Sequence, residues 1–224
     1  MGKLVTKTAL ITLACFLAFV LILFGVLSLI FPSVMLTITD HLGMEKASTS
    51  YAVSVYNRTG EIEDLAEVVE YGYASQTWKV VSEYGDRFIS KKDFRKFCEK
   101  KDHYAQIGNS PAEQGNENSG EWISYSQYYT SIISEAQYRV GNKKESIRTA
   151  FLMNRDQFSS NNAVMFLSVI AMDAKDYDFT GQILNELKSI SETVDFDSEQ
   201  DGKNLSELIE VLSLFMEQQE TAAE

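Results

Sequence analysis

From Ala9 to Phe31 the chain runs ALITLACFLAFVLILFGVLSLIF, and no charged residue occurs between Lys7 and Asp40. As a helix rising 1.5 Å per residue, these 23 residues extend roughly 35 Å, enough to cross the ~30 Å hydrocarbon layer with some tilt. The expectation is a transmembrane helix over residues 9–32, behind a short basic N-terminus at 1–8. It would act as an uncleaved signal-anchor held in the lipid bilayer. A secretory signal has an apolar core of about 7–15 residues followed by small residues at its cleavage site. Pro32-Ser33-Val34-Met35-Leu36 offers no such site, and Cys15 lies inside the apolar run, where no lipoprotein cysteine belongs. Lys3 and Lys7 on one side face Asp40, Glu45 and a single Lys46 on the other. The positive-inside bias therefore predicts a single-pass protein of the cell membrane, with a cytoplasmic N-terminus and an extracytoplasmic domain.

Beyond a mildly apolar connector at 33–45, the periodicity is helical throughout. Two prolines in 224 residues, abundant Ala, Leu, Glu, Lys, Gln and Ser, and no alternating β-branched runs between hairpin turns predict an all-α domain. Ala47, Tyr51, Ala52 and Val55 recur at helical spacing and Arg58-Thr59-Gly60 stops them. Ile62, Leu65, Ala66, Val68 and Val69 mark a second helix, and Trp78, Val81, Tyr84 and Phe88 a third. A fourth, Lys91 to Lys101, carries Phe94, Phe97 and Cys98 on one face. These make a first set of hairpins over 46–101. Residues 102–120, ending in QIGNSPAEQGNENSG, are rich in turn formers and predict a flexible loop that divides the domain. A second set of hairpins is expected over 121–220, closed by an amphipathic helix with Leu205, Leu208, Ile209, Leu212 and Phe215 as a cap. Cys98 is alone in the domain, so no disulfide forms within it.

Sliding the second half along itself by 34 residues superposes Ile132 on Phe166, Ile133 on Leu167, Ala136 on Ile170 and Ala150 on Leu184, while the turn Gly141-Asn142 falls on Lys175-Asp176. A helix–turn–helix unit of that period resembles the tetratricopeptide repeat. Gly141-Asn142-Lys143 before Ser146-Ile147, and Lys175-Asp176-Tyr177-Asp178 before Thr180, are similar to that family's turn and small-residue helix start. The resemblance implies an α-α helical-repeat (TPR-like) domain, in which each hairpin covers its neighbour's apolar face. A single irregular helical domain is the alternative.

Catalytic signatures are missing. The chain has no G-x-G pair, G-x-S-x-G, S-x-x-K or H-E-x-x-H, and its two histidines, His41 and His103, lie far apart. No cofactor is expected, and no enzyme activity. Asp195–Glu207 places Asp197, Glu199, Asp201 and Gly202 as a calcium loop would, but Leu208 stands where the bidentate Glu is needed. Asp201 or Asn204 capping the last helix accounts for the same residues.

After residue 39 the chain holds 18 basic and 32 acidic residues, a net of −14 that disfavours nucleic acid. The cations nevertheless form two islands. Arg87, Lys91, Lys92, Arg95, Lys96, Lys100 and Lys101 have only Asp93 and Glu99 among them, and Arg139, Lys143, Lys144, Arg148 and Arg155 form the second. Either they are solvated helix faces or they dock an acidic partner segment or anionic headgroups. The function these features predict is a membrane-anchored, non-catalytic protein-interaction or scaffold module whose partner is another protein or peptide. A membrane-anchored sensor binding a small ligand between helices is the second possibility.

Overall fold

The computed structural model describes residues 2–107, 123–153, 158, 162–196 and 198–223. Every element among them is helical. Eleven α-helices follow in chain order: α1 Gly2–Ile30, α2 Pro32–His41, α3 Glu45–Thr59, α4 Ile62–Ala74, α5 Trp78–Ile89, α6 Phe94–Ile107, α7 Tyr125–Arg139, α8 Lys143–Ala150, α9 Ala163–Asp173, α10 Tyr177–Thr193 and α11 Glu199–Ala223. One of these, over Leu10–Ile30 in α1, is long and apolar enough to cross a membrane, and none of that stretch is buried by the rest of the chain.

The chain forms two compact units, Met1–Thr77 and Trp78–Glu224. Helices α5 and α6, which precede the loop expected at residues 102–120, both pack on α7, which follows it. Within the expected loop, 102–107 belong to α6. Two neighbouring side chains hold this last turn: Lys101 donates to the Tyr129 hydroxyl at 2.8 Å, and Asp102 accepts from the Tyr125 backbone N–H at 2.7 Å. The remaining residues of the expected loop, 108–120, lie outside the described residues.

In the first unit, Pro32 has no N–H to continue α1, and the connector folds as a separate helix, α2. The Arg58 guanidinium donates to the carbonyl oxygens of Leu29 and Ile30, the latter at 3.0 Å. A cation there satisfies orphan carbonyls and opposes the negative end of the α1 dipole. The face by which α3 packs differs from the expected one: Ser48, Thr49 and Ala52 are buried, whereas Tyr51 and Val55 are half-buried. A hydroxyl seam explains it. Ser48 donates to Thr39 Oγ1 at 3.0 Å, and Thr49 donates to the Tyr71 carbonyl at 3.0 Å and lies 2.9 Å from Ser75 Oγ.

The second unit is built around α7, whose side chains from Tyr129 to Gln137 are buried except for Ser131. Helices α5, α6, α8 and α9 all pack on it. An aliphatic core, including Leu167, Ile183, Leu187 and Leu212, joins α9, α10 and α11. Gly85 of α5 lies against Ile133 of α7.

One turn recurs. Helices α2, α4, α7 and α9 each end in a left-handed residue, Gly43, Gln76, Gly141 and Lys175. In each, the next N–H reaches back five residues: Met44 to Thr39, Thr77 to Gly72, Asn142 to Gln137 and Asp176 to Ala171, all at 2.8–3.0 Å. This is the Schellman arrangement, which satisfies the last carbonyls and reverses the chain. The last two copies are 34 residues apart, and α8 and α10 begin at that same offset.

Glu199, Asp201, Gly202 and Asn204 lie inside α11 and not in a loop, Asp197 lies outside the described residues, and no metal-holding cluster occurs among those described. Nor do Asp201 or Asn204 cap that helix; the Asn204 amide instead donates to the Phe158 carbonyl at 3.1 Å.

Candidate docking surface

The first basic island is organised by aromatic packing beneath it. Phe94, Phe97 and Cys98 turn inward from α6 and are buried, as their spacing predicts. Phe88 of α5 receives Phe94, Phe97 and Tyr129 edge-on, with ring centroids 5.0, 5.5 and 4.8 Å away. Lys101 is not part of the outward face: its ammonium lies 5.0–5.4 Å from the rings of Phe97, Tyr125 and Tyr129. A cation over several aromatic faces, with a hydroxyl to donate to, is a packing element. Burial, with Asp102 nearby, pushes the Cys98 thiol up to about 12, so this cysteine is a core residue with no thiolate chemistry near neutral pH.

With that side pinned, Lys92, Arg95, Lys96 and Lys100 face outward and are exposed. None makes a hydrogen bond or ion pair with another described residue. At 100° per residue, Lys96 and Lys100 lie within about 40° of each other, roughly opposite the buried Phe94 and Cys98. The first turn of α6 holds no acid and carries Arg95 and Lys96. Cations there oppose the positive end of the helix dipole, so the local sequence is set against helix stability. Lys91 is half-buried at the turn into α6.

Four other cations of the islands are paired internally. Arg87 pairs with Glu83 at 2.6 Å and lies 4.7 Å from the Tyr84 ring. Arg139 pairs with Glu135 at 3.1 Å and lies over Trp78. Arg148 pairs with Glu145 at 3.4 Å. Lys143 meets Asp176 at 2.5 Å and lies 5.6 Å from the Phe179 ring. Lys144 is exposed, and Arg155 lies outside the described residues. The two islands therefore differ in their partners: Lys92, Arg95, Lys96 and Lys100 have none among the described residues, whereas Arg139, Lys143 and Arg148 are ion-paired.

Asp176 is the hub that joins the two hairpins of the second island. Its carboxylate caps α10 by accepting from the Phe179 N–H at 3.2 Å, and it also accepts from the Tyr138 hydroxyl at 3.1 Å. Burial pushes its carboxyl up, but the bonds from Lys143, Phe179 and Tyr138 outweigh this and hold it below the ordinary value. Its role is anticipated only by its place after the left-handed Lys175, a helix-start position.

A groove of about 370 Å³ opens between the end of α5 and α8, with Asp86, Ser90, Glu145 and Arg148 among its lining. Gln137, fully buried on α7, donates to Asp86 at 2.5 Å, while its own Oε1 has no hydrogen-bond partner among the described residues. Burial raises the Asp86 carboxyl above its usual range; Glu145 adds to this, and the Gln137 bond and Arg148 partly offset it.

Compared with known proteins, the chain matches no family model, no curated protein and no solved structure.

Proposed function

We propose that the chain is a membrane-anchored helical-repeat (TPR-like) module that binds another protein or peptide and carries out no catalysis. The observation that carries this reading is the outward face at α6: four exposed cations with no partner among the described residues, Lys92 in the turn before the helix and Arg95, Lys96 and Lys100 on it, with Phe94, Phe97 and Cys98 buried behind them. Binding, unlike acid–base or nucleophilic chemistry, needs only such a presented surface. The repeat assignment draws on the Schellman turn at four helix ends and the 34-residue offset between the last two. Anchorage draws on the exposed apolar stretch Leu10–Ile30, and orientation on Lys3 and Lys7 ahead of it, which favour a cytoplasmic N-terminus with the domain outside. Proximity labelling from the full-length protein in its native membrane tests the reading. Recovery of a reproducible protein neighbour supports it, and labelling of lipid alone refutes it.

A second function, sensing a small solute, has the groove at Asp86 and Glu145 in its favour. Its size lies within the range of small-molecule pockets. Thermal stabilisation by a small solute, with none by any protein, would favour this over the scaffold.

A further inference from the structure

We infer that the outward stripe formed by Lys92, in the turn before α6, and by Arg95, Lys96 and Lys100 of α6 docks an acidic polypeptide segment; this names the partner class of the interaction module proposed above and rests on that proposal. Three features converge on it. First, the stripe is where uncompensated cations cluster, whereas in the second island Lys144 stands exposed beside paired residues. Arg87, Arg139, Lys143 and Arg148 each have a carboxylate within 3.4 Å, whereas these four cations have none among the described residues.

Second, the spacing suits a peptide. Lys96 and Lys100 are four residues apart on a helix, about 6 Å along its axis. Carboxylates repeat at about the same interval at every fourth residue of a helix, or at every second residue of an extended chain. Because Phe94, Phe97 and Cys98 fix the opposite side, the cations project from a backbone that is already ordered, which reduces the entropy lost on binding. Tyr104, 62% exposed one turn beyond Lys100, supplies a flat apolar contact at the end of the stripe.

Third, charge distinguishes a narrow partner from a broad one. The window Arg87–Lys101 has seven cations and two acids, within a region after residue 39 of net −14. At physiological salt the screening length is about 8 Å, so a single acidic strand or helix lying along α6 feels mainly the local positive field. An anionic bilayer or a nucleic-acid duplex presents a far wider negative surface and meets the acidic remainder as well. The stripe therefore fits a polypeptide, not a phospholipid surface.

The test uses the full chain in nanodiscs of neutral lipid. Its probes are a short labelled peptide of alternating Glu and Ala, the matching Gln–Ala peptide, and vesicles of phosphatidylcholine with phosphatidylserine. The wild type should bind the Glu–Ala peptide and not the Gln–Ala peptide, more weakly as salt rises. The fourfold variant Lys92→Gln, Arg95→Gln, Lys96→Gln, Lys100→Gln should bind about tenfold more weakly with an unchanged unfolding midpoint. Lys144→Gln, an exposed cation off the stripe, should bind as the wild type does. Equal peptide binding by the wild type and the fourfold variant overturns the inference, as does a lack of Glu–Ala binding even at low salt. Preference for the phosphatidylserine vesicles, lost in the fourfold variant, also overturns it by assigning the stripe to lipid. Proximity labelling run on both proteins separates the two levels. Neighbours retained unchanged by the fourfold variant refute the stripe while the module stands, and no protein neighbour for either refutes the module itself.

Discussion

Replacing Gly85 by Ala probes the contact on which the second unit is assembled. A Cβ built on Gly85 lies 2.7 Å from Cγ1 and 2.8 Å from Cγ2 of Ile133, with Cδ1 at 3.2 Å. Carbon atoms pack favourably at about 3.5–4.0 Å, so two atoms are too close by roughly 0.7 Å or more. Rotation about χ1 cannot clear both, because any staggered position leaves at least one γ carbon on that side. Ile133 is fully buried, and protein interiors are packed closely enough that such a side chain gives way only at a cost. In an exposed helix interior Gly→Ala stabilises by about 1 kcal/mol. Overpacking of a close core contact costs about 1–3 kcal/mol and acts against it. The net expectation is a loss of about 1 kcal/mol, from either shifted helices or strained rotamers. In an Ile133→Ala background the γ carbons are gone, and the same Gly85→Ala change should instead stabilise, by about 1 kcal/mol from propensity plus partial filling of the cavity. Urea unfolding of the full-length protein in detergent, followed by far-UV circular dichroism, measures all four members of the cycle. A stabilising Gly85→Ala in the Ile133 background, or equal effects in the two backgrounds, would refute the described packing of α5 on α7.

Two carboxylates should titrate with opposite consequences. Burial raises the Asp86 carboxyl in the folded state above its ordinary value of 3.8, so its charge opposes folding. That penalty is absent below about pH 3.8 and grows as pH rises through the raised value. Asp86→Asn should therefore raise the unfolding midpoint at neutral pH, with the difference shrinking as pH falls through the raised value and gone below about pH 3.8. Asp176 has a lowered value, so its contribution is present above about pH 3.8 and is lost as pH falls through the lowered one. Asp176→Ala, which removes a helix cap and a bond to Lys143, should cost about 2 kcal/mol at neutral pH and progressively less in acid. Leu167→Asp, at a fully buried position, should destabilise by several kcal/mol through an unpaired buried charge, and an unchanged thermal transition would contradict its place in the core.

The parts of the fold legible in the sequence were those set by apolar periodicity and turn chemistry. Phe94, Phe97 and Cys98 share an inward face because their spacing follows the helix, and Gly141 marks a turn because its backbone is left-handed, at φ 87°. Where burial is polar, periodicity misleads. Thr49 of α3 is buried with its hydroxyl bonded to the Tyr71 carbonyl and beside Ser75, and no hydropathy pattern distinguishes that from an exposed threonine. The end of α6 was missed for a related reason: Lys101 and Asp102 look like solvent residues until Tyr129 and Tyr125, distant in sequence, supply their partners. The same holds for the basic islands. Both are evident as charge clusters, but Asp176 lies far along the chain from Lys143, and only the folded hairpins bring their side chains together. The pairs Arg87–Glu83, Arg139–Glu135 and Arg148–Glu145, by contrast, are three or four residues apart on one helix, so their compensation follows from helical spacing once the helices are placed.

The central claim, that this protein holds a partner through the outward face of α6 while anchored at the membrane, is tested most directly by photo-crosslinking in the native membrane. A photoreactive residue replaces Lys100 in one protein and Lys144, exposed but off the stripe, in another. The account predicts a protein adduct from position 100 whose crosslinked peptide is rich in Asp and Glu, and little or none from position 144. Adducts only to lipid from position 100, or the same protein adduct from both positions, would contradict it.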